Sequence, residues 1–112
     1  MDFGAFLGND ALKRRLQESF RQGKTSHCYL LCGVEGSGRR TLALQMAAAL
    51  ECKNEREPGC GVCPACRKVL AKQHPDVITV DDTEHKNVAV DIVRQARNDV
   101  FIRPNEGRKK VY

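Results

Sequence analysis

The most restrictive feature of this sequence is a glycine-rich segment, residues 33–41 (GVEGSGRRT), between an apolar run and a run of helix formers. Residues 27–32 (HCYLLC) are short and apolar enough for a buried parallel strand. Residues 41–50 (TLALQMAAAL) strongly favour a helix. Strand, glycine loop and helix in this order form the context of a phosphate-binding loop. The sequence therefore predicts an α/β fold, with a P-loop-type parallel sheet and flanking helices.

The glycine loop lacks two side chains that handle Mg-ATP. In the pattern G-x-x-x-x-G-K-[ST], Arg39 replaces the phosphate-binding lysine and Arg40 replaces the Mg²⁺-binding hydroxyl. A register shifted by one residue, with Arg40-Thr41 as the basic and hydroxyl pair, and a turn that binds nothing are the alternatives. We predict no catalytic residue here, and weak or absent ATP binding. The degenerate phosphate loop comprises Gly33, Gly36, Ser37, Gly38, Arg39, Arg40 and Thr41.

Four of the six cysteines have the spacing of a structural metal site. Cys60, Cys63 and Cys66 are separated by two x₂ steps, and Cys52 lies upstream at the end of the predicted helix. Four thiolates that converge suit a closed tetrahedral zinc site. Disulfides and an iron–sulfur cluster are the alternatives, but the ferredoxin run would place a cysteine where Leu70 stands. Zinc is therefore favoured.

The rest of the chain alternates helical and extended patterns. Asn9 is a predicted N-cap for a helix that Gly23 closes, and Phe3 and Phe6 are expected to pack onto the body of the domain. Cys28 and Cys32 share one face of the apolar run and are predicted to be core residues. Further helices are predicted at 39–51, about 64–72 and 90–101, with strands at 27–32, 77–80 and, just beginning, 109–112. A sheet stopped there would be incomplete, so we interpret the chain as a truncated domain.

Charge and hydropathy limit the class of protein. The net charge of +5 is spread along the chain and is only weakly indicative of an acidic partner such as nucleic acid. No window has the apolar length of a membrane span, and the first residues do not resemble a signal peptide. The sequence therefore predicts a cytoplasmic protein without a membrane partner.

The order of these features resembles the first AAA+ domain of the bacterial clamp-loader subunits of DNA polymerase III. The resemblance rests on the strand that begins near His27, the glycine loop, the four-cysteine insertion, the His74-Pro75-Asp76 turn and a Val-Asp-Ile helix. It implies an AAA+-type domain over residues 1–112 with a zinc-binding insertion at 52–66. The resemblance implies that the phosphate-loop role belongs to Gly33, Gly36 and Gly38, and the zinc-ligand role to Cys52, Cys60, Cys63 and Cys66.

Within this family, a degraded loop is typical of the non-hydrolysing delta-prime type, whereas gamma/tau subunits keep the lysine and the hydroxyl. The resemblance therefore implies a structural subunit of a polymerase holoenzyme with structural zinc. Its expected partners are gamma/tau and delta, and, through the complex, the sliding clamp and primer-template DNA. The alternatives are an active ATPase that uses Arg39 and Thr41, and a zinc-dependent nucleic-acid-binding module with an incidental glycine loop.

Overall fold

The computed structural model describes residues 6–82, 84 and 87–112, which contain four α-helices. The helices are α1 (Asp10–Arg21), α2 (Arg39–Glu51), α3 (Pro64–Leu70) and α4 (Val90–Val100). Each corresponds to a predicted helix. Phe6 is buried as predicted, whereas Phe3 lies outside the described residues. None of the described helices has the length and apolar content that crossing a membrane requires.

Helix α1 is amphipathic and ends where its glycine was predicted to close it. Leu16 and Phe20 are buried on one face. Gly23 has φ +68°, and the N–H of Lys24 donates to the carbonyl of Ser19 at 2.9 Å. This is a Schellman motif, in which glycine adopts the left-handed conformation without a steric penalty. The side chain of Asn9 makes no capping hydrogen bond, so only its position next to the helix matches the prediction.

Helix α2 separates two small hydrophobic cores. One of its faces packs Leu42 and Met46 against Phe20 of α1. Another face packs Ala47 and Ala48 against α3. Alanine side chains let a neighbouring helix approach closely, which explains how a short helix such as α3 buries Val69 completely. Because α2 packs in both cores, it sets the positions of the two residues that flank it, Gly38 of the glycine loop and Cys52.

The predicted parallel sheet is not formed by the part of the chain that the structure describes. One parallel bridge joins Val77 to Val111, but residues 27–32 make no backbone hydrogen bond to another described segment. A strand is stabilised by the N–H and C=O groups of its neighbours, which this segment lacks here. Cys28 and Cys32 are exposed, so their prediction as core residues was wrong. No described segment forms a second layer over these two cysteines.

Helix α4 lies at the edge of the molecule. Its predicted apolar stripe is only partly covered: Ile92 and Ala96 are half-buried, and Val100 is exposed. Asp99 attaches the helix to the last residues of the chain by accepting from Lys110 Nζ at 2.7 Å and from Tyr112 Oη at 2.6 Å. Polar contacts of Asp99 therefore hold the C-terminal end of α4 in place.

Candidate metal centre and degenerate phosphate loop

The glycines of the loop are required by its backbone geometry. Gly36 and Gly38 have φ values of +78° and +87°, in the left-handed region that favours glycine. A Cβ on Gly33 would lie 2.6 Å from Ser37 Oγ, so a side chain there would require the Ser37 hydroxyl to move. Gly38 is the N-cap of α2, and its carbonyl accepts the first helical hydrogen bond from Leu42 at 2.9 Å. The loop therefore leads into the helix as a phosphate-binding loop does.

The two arginines lie in the first turn of α2, where a positive charge is unfavourable. The N-terminus of a helix carries a partial positive charge, and this first turn contains no acidic residue. The carboxylate of Asp81 compensates the charge of Arg40, since it lies 3.0 Å from Arg40 Nη2. Arg39 has no ion pair with another described residue. This contact was not predicted from the sequence, although a basic residue at a helix start is a signal to look for an acidic partner.

The sulfur atoms of Cys52, Cys60, Cys63 and Cys66 all lie within 4.8 Å of one another. Cys52 Sγ is 3.6 Å from Cys60 Sγ and 3.9 Å from Cys63 Sγ. These distances are much longer than a disulfide bond, which is about 2.05 Å. They match the separation of about 3.8 Å between sulfurs that surround one tetrahedral Zn²⁺ at about 2.3 Å. The four predicted cysteines therefore form one compact cluster, which we call the metal knot.

Local structure around the metal knot places each sulfur. Cys52 is the C-cap of α2, and Cys63 is the N-cap of α3, with Pro64 as the first helical residue. Gly59 and Gly61 have φ values of +75° and +78°, which allow the tight turn between the two helices. The donor set fits a single thiophilic ion, because a multi-iron cluster would hold the four sulfurs further apart.

Backbone N–H groups point at the sulfurs and favour their ionised form. Burial raises the pKa of Cys63, but hydrogen bonds from the N–H groups of Cys66 and Lys53 outweigh burial and bring the pKa to about 6. The pKa of Cys52 is also lowered, because N–H groups of Cys60 and Asn54 outweigh its burial. Burial raises the pKa of Cys66, and the neighbouring thiols raise it further. Two of the sulfurs are therefore disposed to ionise, and a thiolate is the form that binds a metal.

Two buried carboxylates lie beside the metal knot and bind five consecutive backbone N–H groups. Asp76 accepts from Asn105, Glu106 and Gly107 at 2.5, 2.9 and 2.6 Å. Glu51 accepts from Arg108 and Lys109 at 3.0 and 3.2 Å. We call residues 105–109 the clamped loop. Both side chains are almost fully buried, so this peptide segment supplies the hydrogen bonds that a buried carboxylate requires.

Glycine is needed in the middle of the clamped loop. A Cβ on Gly107 would lie 1.9 Å from Glu51 Oε2 and 3.1 Å from Asp76 Oδ2, too close for any side chain. The two carboxylates that hold this loop were not predicted from the sequence. The available signal was Glu51 itself, an acidic residue at the end of an otherwise apolar helix.

His74 completes the buried polar cluster. Its Nδ1 accepts a hydrogen bond from the N–H of Asp76 at 3.1 Å, so the neutral ring carries its proton on Nε2. That nitrogen lies 4.0 Å from Glu51 Oε2 and 3.9 Å from Glu106 Oε1. His74 is therefore a buried residue at the start of the His74-Pro75-Asp76 turn.

Comparison with known proteins shows which family the chain belongs to. The sequence profile of the family described as "DNA polymerase III, delta subunit" matches residues 8–112. The chain belongs to this family. The resemblance of its features to the N-terminal region of a clamp-loader subunit is confirmed.

Relatives of this DNA polymerase III family member include two types of subunit. DNA polymerase III subunit delta' of Pseudomonas aeruginosa is 39% identical over 88 residues, covering 77% of this chain and 27% of the relative. DNA polymerase III subunit tau of Bacillus subtilis is 33% identical over 112 residues, covering 98% of this chain and 19% of the relative. Subunit gamma/tau of Mycoplasma pneumoniae is 31% identical over 110 residues, with 98% and 16% coverage. The chain thus spans less than a third of the length of each of these relatives.

Proposed function

We propose that the protein is a non-hydrolysing structural subunit of the bacterial clamp loader, of the delta-prime type. The observation that carries the proposal is the pair of arginines at the start of α2. Arg40 occupies the position of the hydroxyl that would bind Mg²⁺, and its guanidinium is engaged by Asp81. A guanidinium offers only N–H donors, so it cannot ligate a metal ion. The loop then serves as a strand-to-helix connection, and the subunit contributes to assembly rather than to ATP turnover.

The proposed role is to help load the sliding clamp onto primer-template DNA during replication, in the cytoplasm. The proposed partners are gamma/tau and delta subunits within the clamp loader. Family membership and the names of the relatives support this role. The subunit belongs to a polymerase holoenzyme and is, in this proposal, not an enzyme by itself.

We propose that residues 1–112 are the N-terminal part of an AAA+ domain, whose full-length form contains a parallel sheet. The parallel bridge between Val77 and Val111 supports this, because it sets the direction and register of two predicted strands. Helix α2 and residues 77–81 also enclose a groove of about 650 Å³, lined in part by Leu44 and Ala47. A helix that covers parallel extended segments is the layer arrangement of an α/β domain.

We propose that residues 52–66 bind one structural Zn²⁺ through the four cysteines of the metal knot. The separation of the sulfurs and the N–H groups aimed at them support this proposal. When bound, such an ion contributes directly to folding. The four cysteines fill a tetrahedral shell without leaving an open position, which is typical of a structural rather than a catalytic site.

The competing function is that of an active ATPase of the gamma/tau type. The similarity to tau over 98% of this chain favours it. It requires Arg39 to bind phosphate and Thr41 to replace the missing metal ligand. The two functions therefore differ in whether the full-length protein binds and turns over Mg-ATP.

Titration calorimetry and a turnover assay on the full-length protein separate these two functions. We expect neither micromolar Mg-ATP binding nor ATP turnover. The double variant Arg39→Lys/Arg40→Thr restores the complete motif and serves as the positive control for binding. Micromolar Mg-ATP binding that is abolished by Arg39→Ala, or turnover that is lost on Thr41→Ala, would refute the structural-subunit proposal.

A further inference from the structure

Most of the side chains that hold the clamped loop come from the two helices that carry knot cysteines or from the segment between these helices. Glu51 is the last residue of α2 and binds the N–H groups of residues 108 and 109. Lys68 of α3 lies 2.5 Å from Glu106 Oε1, and Glu55 lies 3.3 Å from Arg108 Nη2. Asp76, by contrast, belongs to the turn after α3 and contacts the clamped loop from outside the knot.

The knot residues that would bind a metal are directly connected to these contacts. Cys52 follows Glu51 in the sequence, so fixing its sulfur fixes the end of α2 and the carboxylate next to it. Cys66 belongs to α3, and its Sγ lies 3.6 Å from the carbonyl oxygen of Ala48 in α2, so the position of this sulfur sets how α3 packs on α2. A metal that draws Cys52 and Cys66 together therefore also fixes the relative positions of Glu51 and Lys68.

The clamped loop in turn positions the segment that follows it. Val111 donates its N–H to the carbonyl of Asp76 at 2.8 Å and accepts from the N–H of Ile78 at 2.8 Å. These two hydrogen bonds form the parallel bridge to Val77. The clamped loop directly precedes residues 110–112 in the chain. Its position therefore determines where residues 110–112 lie beside residues 76–78.

We propose that the metal knot and the clamped loop are energetically coupled, so that metal binding stabilises the position of residues 110–112 beside Val77. This inference rests on the proposed metal centre. Coupling between two sites is reciprocal, so a change that loosens the clamped loop must also weaken metal binding. Asp76 provides the test because it holds the loop but belongs neither to the knot nor to its helices.

The decisive experiment measures the Zn²⁺ affinity of the full-length protein by competition with a chromogenic chelator. Asp76→Asn replaces an acceptor oxygen with an N–H₂ group that faces backbone donors, so it loosens the clamped loop. We expect its zinc affinity to fall by about five-fold or more, within the usual range of coupling between sites. The matched control is Asp91→Asn, on an exposed part of α4, which should change the affinity by less than about two-fold.

Hydrogen exchange supplies a second readout on the same proteins. Removing zinc should speed exchange at the amides of residues 105–109 while the amides of α1 stay protected. If Asp76→Asn does not fold, Glu106→Gln replaces it, because it removes the ion pair between the half-exposed Glu106 side chain and Lys68 without adding atoms to the buried cluster. Glu106→Gln should then lower the zinc affinity by more than about two-fold.

Two results overturn the proposal, and they are distinguishable. Stoichiometric zinc with unchanged affinity in a folded loop variant refutes the coupling but leaves the metal centre intact. Absence of stoichiometric zinc from the wild-type protein refutes the metal centre itself, and the coupling with it.

Discussion

The guanidinium of Arg40 lies 3.0 Å from the carboxylate of Asp81, which joins the first turn of α2 to the segment after Ile78. The Arg40 side chain is 85% exposed, so water and salt screen this pair. The ion pair therefore matters because it engages the Arg40 guanidinium, and it contributes little to the stability of the fold.

We expect the Arg40–Asp81 pair to stabilise folding by less than about 1 kcal/mol. A double-mutant cycle with Arg40→Ala and Asp81→Asn, measured by urea unfolding at low and high salt, gives the coupling energy. The coupling should shrink at high salt. Arg39→Ala is the matched control and should show no coupling to Asp81. A coupling above about 2 kcal/mol that salt does not change would show that the pair is structural.

Asp76→Asn should destabilise the fold by about 2 kcal/mol or more, because a buried acceptor of three N–H groups is lost. Asp91→Asn, whose side chain is 87% exposed, should change the unfolding free energy by less than about 0.5 kcal/mol. Chemical unfolding at neutral pH measures both. Equal effects of the two variants would contradict the role assigned to the clamped loop.

The same carboxylate should make stability depend on pH in the acid range. Burial raises the pKa of Asp76, but three backbone N–H groups and the nearby His74 outweigh burial and lower it below its usual value. The buried carboxylate of Glu51 also accepts a hydrogen bond from the clamped loop, from the N–H of Arg108. A lowered pKa stabilises the folded state above the usual value of about 3.9, and this stability is lost as the pH falls through the lower folded value. Unfolding midpoints between about pH 5 and pH 2 should therefore fall more steeply in the wild type than in Asp76→Asn.

Elemental analysis should find one zinc per chain in the protein purified without added chelator. Cys60→Ser should lower the zinc content and the thermal midpoint, because a structural site contributes its binding free energy to folding. Cys28→Ser and Cys32→Ser are matched controls, since these exposed cysteines lie outside the metal knot and should leave the zinc content unchanged. Loss of zinc in either control, or its retention in Cys60→Ser, would contradict the assignment of the ligands.

Two helix ends make a paired prediction about backbone conformation. α1 ends at Gly23 with φ +68°, whereas α3 ends at Lys72 with φ +59°, each in a Schellman motif. The left-handed conformation costs a non-glycine residue about 1 kcal/mol. Gly23→Ala should therefore destabilise the protein by about 1 kcal/mol, and Lys72→Gly should stabilise it by a somewhat smaller amount. Thermal unfolding measures both changes, and a destabilising Lys72→Gly would refute the argument.

The helices and the metal knot were accessible from sequence because their signals are local. Pro64 at a helix start and Gly23 at a helix end are marked by single residue types. The clamped loop was missed because its contacts join residues far apart in sequence, such as Glu51 and Arg108. The exposure of Cys28 was mispredicted for a related reason. Burial of an apolar run depends on which other segments cover it, and the residues of the run do not determine those segments.

Helix α2 begins after Gly38 and ends before Cys52, so the glycine loop and the metal knot are the two ends of one rigid rod. Its 13 residues span about 20 Å. Because the helix does not bend easily, any rotation of α2 about the knot would displace Arg39 and Arg40 at its far end. A rotation of about 5° would move the arginines by on the order of 2 Å, enough to break a hydrogen bond. Holding the Cys52 end of α2 in place therefore also determines where Arg39 and Arg40 lie at the other end.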